Sequence, residues 1–92
     1  MTLDELYKII EDRKKNLPKN SYVASLFKKG KDKIIQKVGE EATEVIIAAK
    51  NESRQRIISE IADLLFHLLI MMSLFQVTPR DILKALNKRQ KK

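Results

Sequence analysis

Glu41 and Glu44 stand three residues apart, Glu60 and Asp63 repeat that spacing further along the chain, and Glu40 lies beside the first pair. On an α-helix a separation of three places both side chains on one face, so each pair is a patch of negative charge. Like charges at this spacing repel by roughly 0.2–0.5 kcal/mol when exposed, and by more when half-buried, so a compensating partner is required. For the first patch two partners are open. Lys33 and Lys37 share an arc with Glu40, Glu41 and Glu44, so a solvated face of offsetting charges accounts for it, and so does a bound cation.

The second patch separates these readings. Residues 57–75 are apolar almost all the way round, and Arg56, Glu60, Asp63 and His67 follow an i, i+4, i+7, i+11 spacing that makes them the one polar stripe on that helix. The environment predicted for this helix is buried on several sides, where an uncompensated carboxylate is costly. If the two stripes face each other across an antiparallel pair, Glu41, Glu44, Glu60 and Asp63 converge with Glu40 close by. Such a nest of hard oxygen ligands, in a chain with no Cys and one His, suits Mg²⁺ or Mn²⁺ and not Zn²⁺. The competing arrangement is an ordinary helical ion pair between Arg56 and Glu60, with Asp63 satisfied by a neighbour. His67 reads as a core residue with a satisfied ring nitrogen, and Met71 and Met72 as core filling.

These side chains require helices to carry them. Two Gly and two Pro punctuate the chain, and apolar residues recur at helical spacing throughout, which predicts an all-α fold. Thr2 and Glu5 form a capping box for a helix that carries Leu3, Leu6, Tyr7 and Ile10 on one face and ends before Leu17-Pro18. Ser21 is the N-cap of a short helix over residues 22–29, with Val23, Leu26 and Phe27 inward and Gly30 as its stop. Long helices follow over residues 32–51 and 53–76. On the first of them Ile34, Val45, Val38, Ala49, Ala42, Ile35 and Ile46 fall in consecutive order on one side, the predicted core face. Thr78, Pro79 and Asp81 start a last helix through Ile82, Leu83 and Leu86.

A chain of 92 residues predicts one all-α domain over residues 1–87, followed by a basic tail at 88–92. A core this small is marginal, and without Cys the usual remedies are a metal or oligomerisation. The acidic Asp4 and Glu5 stand where a signal peptide carries basic residues, so the expected location is cytoplasmic. The longest apolar stretch, residues 64–75, falls short of the roughly 17–25 residues a membrane span needs and reads as a buried helix. The formal charge of +7 invites a nucleic-acid reading, but the basic residues are dispersed or terminal, and two Tyr and three Phe give bases little to stack on. No nucleic-acid or membrane partner is expected.

The ExxE pair followed by ExxD resembles the signature of the MazG-like all-α nucleoside triphosphate pyrophosphatases, here Glu41, Glu44, Glu60 and Asp63. The wider strings KVGEEATEV (37–45), AAKN (48–51) and EIADLLFHLL (60–69), with SYVASL (21–26) upstream, are similar to the phosphoribosyl-ATP pyrophosphatase family, and the likeness runs from the first helix to about Leu86. Phe66 stands where Tyr is expected.

That resemblance implies Mg²⁺-dependent hydrolysis of phosphoribosyl-ATP to phosphoribosyl-AMP and pyrophosphate, the second step of histidine biosynthesis. It implies metal ligation by Glu41, Glu44, Glu60 and Asp63, with Mn²⁺ a possible substitute, and catalytic roles for Glu40, Glu41 and Glu44, Glu40 as outer ligand or water-orienting base. Lys33, Lys37 and Arg56 are then candidate phosphate contacts, as are Ser21 and the helix N-terminus it caps; Lys33 and Lys37 serve equally well as offsets to the glutamates. The superfamily completes a four-helix core by pairing two chains, so a homodimer or higher homo-oligomer is expected. A housecleaning pyrophosphatase acting on free nucleotides shares the same acids and is the alternative, and a basic nucleic-acid-binding module is a remote one.

Overall fold

Among the described residues, four of the five helices begin where a hydroxyl side chain accepts a free backbone N–H. In the computed structural model, which describes residues 1–90, Thr2 caps α1 (Leu3–Asn16) through Glu5 N–H at 3.1 Å, and Ser21 caps α2 (Tyr22–Lys29) through Ala24 N–H at 3.1 Å. Ser53 caps α4 (Arg54–Leu74) through Arg56 N–H at 3.4 Å, and Thr78 caps α5 (Pro79–Gln90) through Asp81 N–H at 3.2 Å. α3 (Lys31–Lys50) instead follows directly on Gly30, whose φ of 104° both ends α2 and turns the chain into α3. Only glycine takes that backbone without strain. No strand occurs among the described residues, so the all-α reading holds.

α3 and α4, joined through residues 51–53, form the long antiparallel hairpin. α1 and α2 pack across one end of it and seal a core of Tyr7, Ile10, Val23, Leu26, Ile34, Leu69 and Ile70, with Phe27, Phe66, Met71 and Met72 around it. Glu11 and Lys14 tie α1 to the end of α4: buried Ser73 donates its hydroxyl to Glu11 at 2.8 Å, and Lys14 donates to the Ser73 carbonyl at 2.7 Å. α5 buries none of its residues and runs through Lys88, Arg89 and Gln90, past the expected end near Leu86. Basic side chains in its last turn suit the helix dipole. Lys91 and Lys92, expected in a basic tail, lie outside the described residues.

Two expectations need correction. The predicted core face of α3 is rotated: Ile34 is buried and Val38, Ala42 and Val45 are half-buried, but Ile35, Ile46 and Ala49 are exposed, and Ala48, on the acidic side, is fully buried. The face that meets α4 is centred near Glu41 and Ile34, a rotation of roughly 60° at 100° per residue. α3 carries more apolar surface than one neighbour covers, and the average direction of that surface is not the direction of α4. Likewise α4 is not buried on several sides within one chain, since Ile58, Ile61 and Leu65 remain exposed. By length and composition α4 is apolar enough to cross a membrane, because the helix is longer than its uninterrupted apolar stretch.

Candidate active site

The rotation of α3 has a chemical consequence, because it carries Glu41 into the groove between α3 and α4. The Glu41 side chain keeps only 15% of its exposure, against 47% for both Glu40 and Glu44. From α4, Glu60 and Asp63 meet it, and one carboxylate oxygen from each of the three lies within 4.8 Å of the others. Glu60 is half-buried and Asp63 open to solvent, so the cluster sits at the mouth of the groove. Three carboxylate oxygens this close are an oxygen-only donor set whose negative charge Lys37, 3.5 Å from Glu41, offsets only in part, which fits a hard divalent cation.

Glu44 does not join that group. Its carboxylate is 3.8 Å from the Arg56 guanidinium, which reaches over from the start of α4, and both side chains are about half-exposed. Glu40 is also outside. It accepts from Gln36 at 2.9 Å and pairs with Lys37 at 3.4 Å, and these contacts hold its carboxyl below the usual carboxylate range. Lys37 divides its charge between Glu40 and Glu41, at 3.4 and 3.5 Å. Although burial opposes it, Tyr22, whose charge counts only at the alkaline pH where both groups titrate, and the carboxylates of Glu40 and Glu41 hold the Lys37 ammonium above the ordinary lysine value. Lys33 is half-buried on the same stripe, with no ion pair among the described residues. The Ser21 oxygen serves as the α2 cap.

His67 is buried and satisfied at both ring nitrogens. Nδ1 lies 2.7 Å from the Asp63 carbonyl oxygen and Nε2 lies 2.7 Å from the Tyr22 hydroxyl. A carbonyl only accepts, so Nδ1 carries the hydrogen, and the neutral ring accepts at Nε2 from the phenol. The core reading of His67 therefore agrees with its contacts. Sequence reasoning did not find Tyr22 as its partner: the contact joins residues 45 positions apart, and no local spacing signals it. Tyr22 also stacks on Phe66, with ring centroids 6.4 Å apart.

The family model described as Phosphoribosyl-ATP pyrophosphohydrolase matches residues 3–90 of this chain. The chain belongs to this family. It is similar to the phosphoribosyl-ATP pyrophosphatase of Sulfolobus acidocaldarius, 51% identical over 90 residues that cover 98% of this chain and 95% of that one. The protein of the same name from Geobacter sulfurreducens is 53% identical over 87 residues, covering 95% and 81% of the two chains. That of Saccharolobus solfataricus is 51% identical over 89 residues, covering 97% and 95%.

Proposed function

We propose that this chain hydrolyses phosphoribosyl-ATP to phosphoribosyl-AMP and pyrophosphate in histidine biosynthesis, with Mg²⁺ held by Glu41, Glu60 and Asp63 at the mouth of the α3–α4 groove. The observation that carries the placement is the mutual approach of those three carboxylates within 4.8 Å. The reaction is supported by full-length similarity to proteins named for it. Bound there, Mg²⁺ supplies neutralisation of the charge that builds on the phosphate oxygens; Mn²⁺, equally hard, is a workable substitute.

The chain's own residues supply the rest. Glu44 would be a fourth ligand, and Arg56, held to it only by a weak, half-exposed pair at 3.8 Å, would be available to the substrate's phosphates. Lys37 and Lys33, on the same stripe, contribute further positive charge to the phosphates. Lys37 is already drawn toward the centre by Glu41. Glu40, kept ionised by Gln36 and Lys37, is the base that orients the attacking water. Ser21 retains a hydroxyl hydrogen to donate to a phosphate oxygen, beside the free N–H groups at the start of α2.

The assembly is a homodimer at least, free of nucleic acid and of membrane, working in the cytoplasm. Ile35, Ile46, Ile58, Ile61 and Leu65 are exposed on the hairpin. A groove of about 330 Å³ runs between α4 and the apolar side of α5, with Leu69, Met72 and Leu83 in its walls. A small core with this much uncovered apolar surface is completed by a second copy. The reaction is tested by pyrophosphate release from phosphoribosyl-ATP, ATP, dATP and dUTP with and without Mg²⁺. Preference for phosphoribosyl-ATP, lost in chelator, is expected. Equal rates on the common nucleotides would instead make the chain a housecleaning enzyme.

A further inference from the structure

α2 contributes no carboxylate, yet one of its side chains is fastened to the carboxylate-bearing turn of α4. The Tyr22 hydroxyl donates to His67 Nε2 at 2.7 Å, and His67 Nδ1–H donates to the carbonyl of Asp63 at 2.7 Å. That carbonyl already accepts the backbone N–H one turn on, as every interior helix carbonyl does, so the imidazole occupies its second lone pair. The ring is wedged edge-on between Tyr22 and Phe66, with centroids 5.6 Å from each. With both nitrogens bonded and both neighbours aromatic, the ring has no freedom to turn.

We propose that Tyr22 is a positioning residue of the carboxylate centre, holding His67 and, through His67, the turn of α4 from which Asp63 reaches Glu41 and Glu60. The inference rests on the reading of those three acids as the ligands of the ion. Asp63 is the one exposed member of the group and is bound by no ion pair among the described residues, so packing around its side chain does little to fix it. The chain Tyr22–His67–Asp63 supplies that restraint from the backbone side. Half the Tyr22 ring is open to solvent (47% exposed), an arrangement that exposes apolar area but places the hydroxyl within the fields of Lys37, Glu41, Glu40 and Asp63.

Tyr22→Phe removes one oxygen and leaves the stacking on Phe66 in place. Ser73→Ala is the control, since it removes a buried hydrogen bond to Glu11 remote in sequence from the acids. The probe is Mn²⁺, followed by water-proton relaxation without substrate, alongside the ¹⁵N resonance of His67 Nε2 in the metal-free protein. The expected result is a moved Nε2 resonance and a Mn²⁺ dissociation constant raised roughly fivefold in Tyr22→Phe, the scale of one net hydrogen bond. Ser73→Ala is expected to melt lower without weakening Mn²⁺. Unchanged Mn²⁺ affinity in Tyr22→Phe, or equal weakening in Ser73→Ala, overturns the proposal while leaving the site standing, provided binding is abolished by Glu60→Gln. Mn²⁺ binding that survives Glu60→Gln and Asp63→Asn sinks the site reading and this inference with it.

Discussion

The Arg56 guanidinium stands 3.8 Å from the Glu44 carboxylate, across the turn that joins α3 to α4. Glu44 sits beside Arg56, outside the three acids that do meet, and the link ties up a cation that a phosphate-rich substrate would attract. Arg56→Gln therefore separates two roles. It is expected to tighten Mn²⁺ binding in the absence of substrate, because Glu44 is released to the centre, and to raise KM several-fold. Stability should change by less than about 0.5 kcal/mol, as for most exposed pairs. If Mn²⁺ binding weakens instead, Arg56 supports the centre directly.

Replacing Glu60 or Asp63 by the neutral isostere should act in opposite directions on activity and on metal-free stability. Losing a ligand removes several kcal/mol of charge stabilisation in the transition state, a fall in kcat of roughly 10²–10³-fold. In chelator the same variants should melt a few degrees higher, because three carboxylate oxygens within 4.8 Å no longer repel. Glu44→Gln, which leaves that cluster untouched and releases Arg56, should lower activity without raising the metal-free melting temperature. Variants that melt lower in chelator than the parent would show that the acids are structural.

At the start of α5, Asp81 accepts from the Thr78 backbone N–H at 2.9 Å, and with the Thr78 hydroxyl this holds its carboxyl below its ordinary value. A carboxyl whose folded pKa is depressed stabilises the fold above its unfolded pKa and loses that contribution as pH falls through the folded one. Asp81→Asn should thus be less stable than the parent at neutral pH, and the gap should close as pH falls below the ordinary carboxyl range, about pH 4. Circular dichroism melts across that range provide the check; a gap independent of pH would show that the charge on Asp81 is irrelevant.

Ile46, 58% exposed on α3, discriminates between a monomer and a pair of chains. On a monomer surface Ile46→Asp changes stability by about 0.5 kcal/mol or less. In a dimer core it buries a charge, so the expected result is a halved mass in sedimentation and a markedly lower melting temperature. An unchanged mass and melt would place the interface elsewhere.

Local rules were enough to read the helices from the sequence. Thr2, Ser21 and Thr78 each cap a helix, and Gly30 ends one, because capping depends on residues three positions apart and on backbone sterics. The acid stripes were legible for the same reason: i, i+3 spacing puts Glu41 beside Glu44 and Glu60 beside Asp63 whatever surrounds them. Which acids meet was decided by tertiary structure. A helix with apolar residues over a wide arc does not specify the angle at which its neighbour docks, so Ala48 and Glu41 were turned inward while Ile35 and Ile46 were left outside. That rotation brought Glu41 to Glu60 and Asp63 and left Glu44 to Arg56, while Tyr22 meets His67 only once α2 has folded back onto α4.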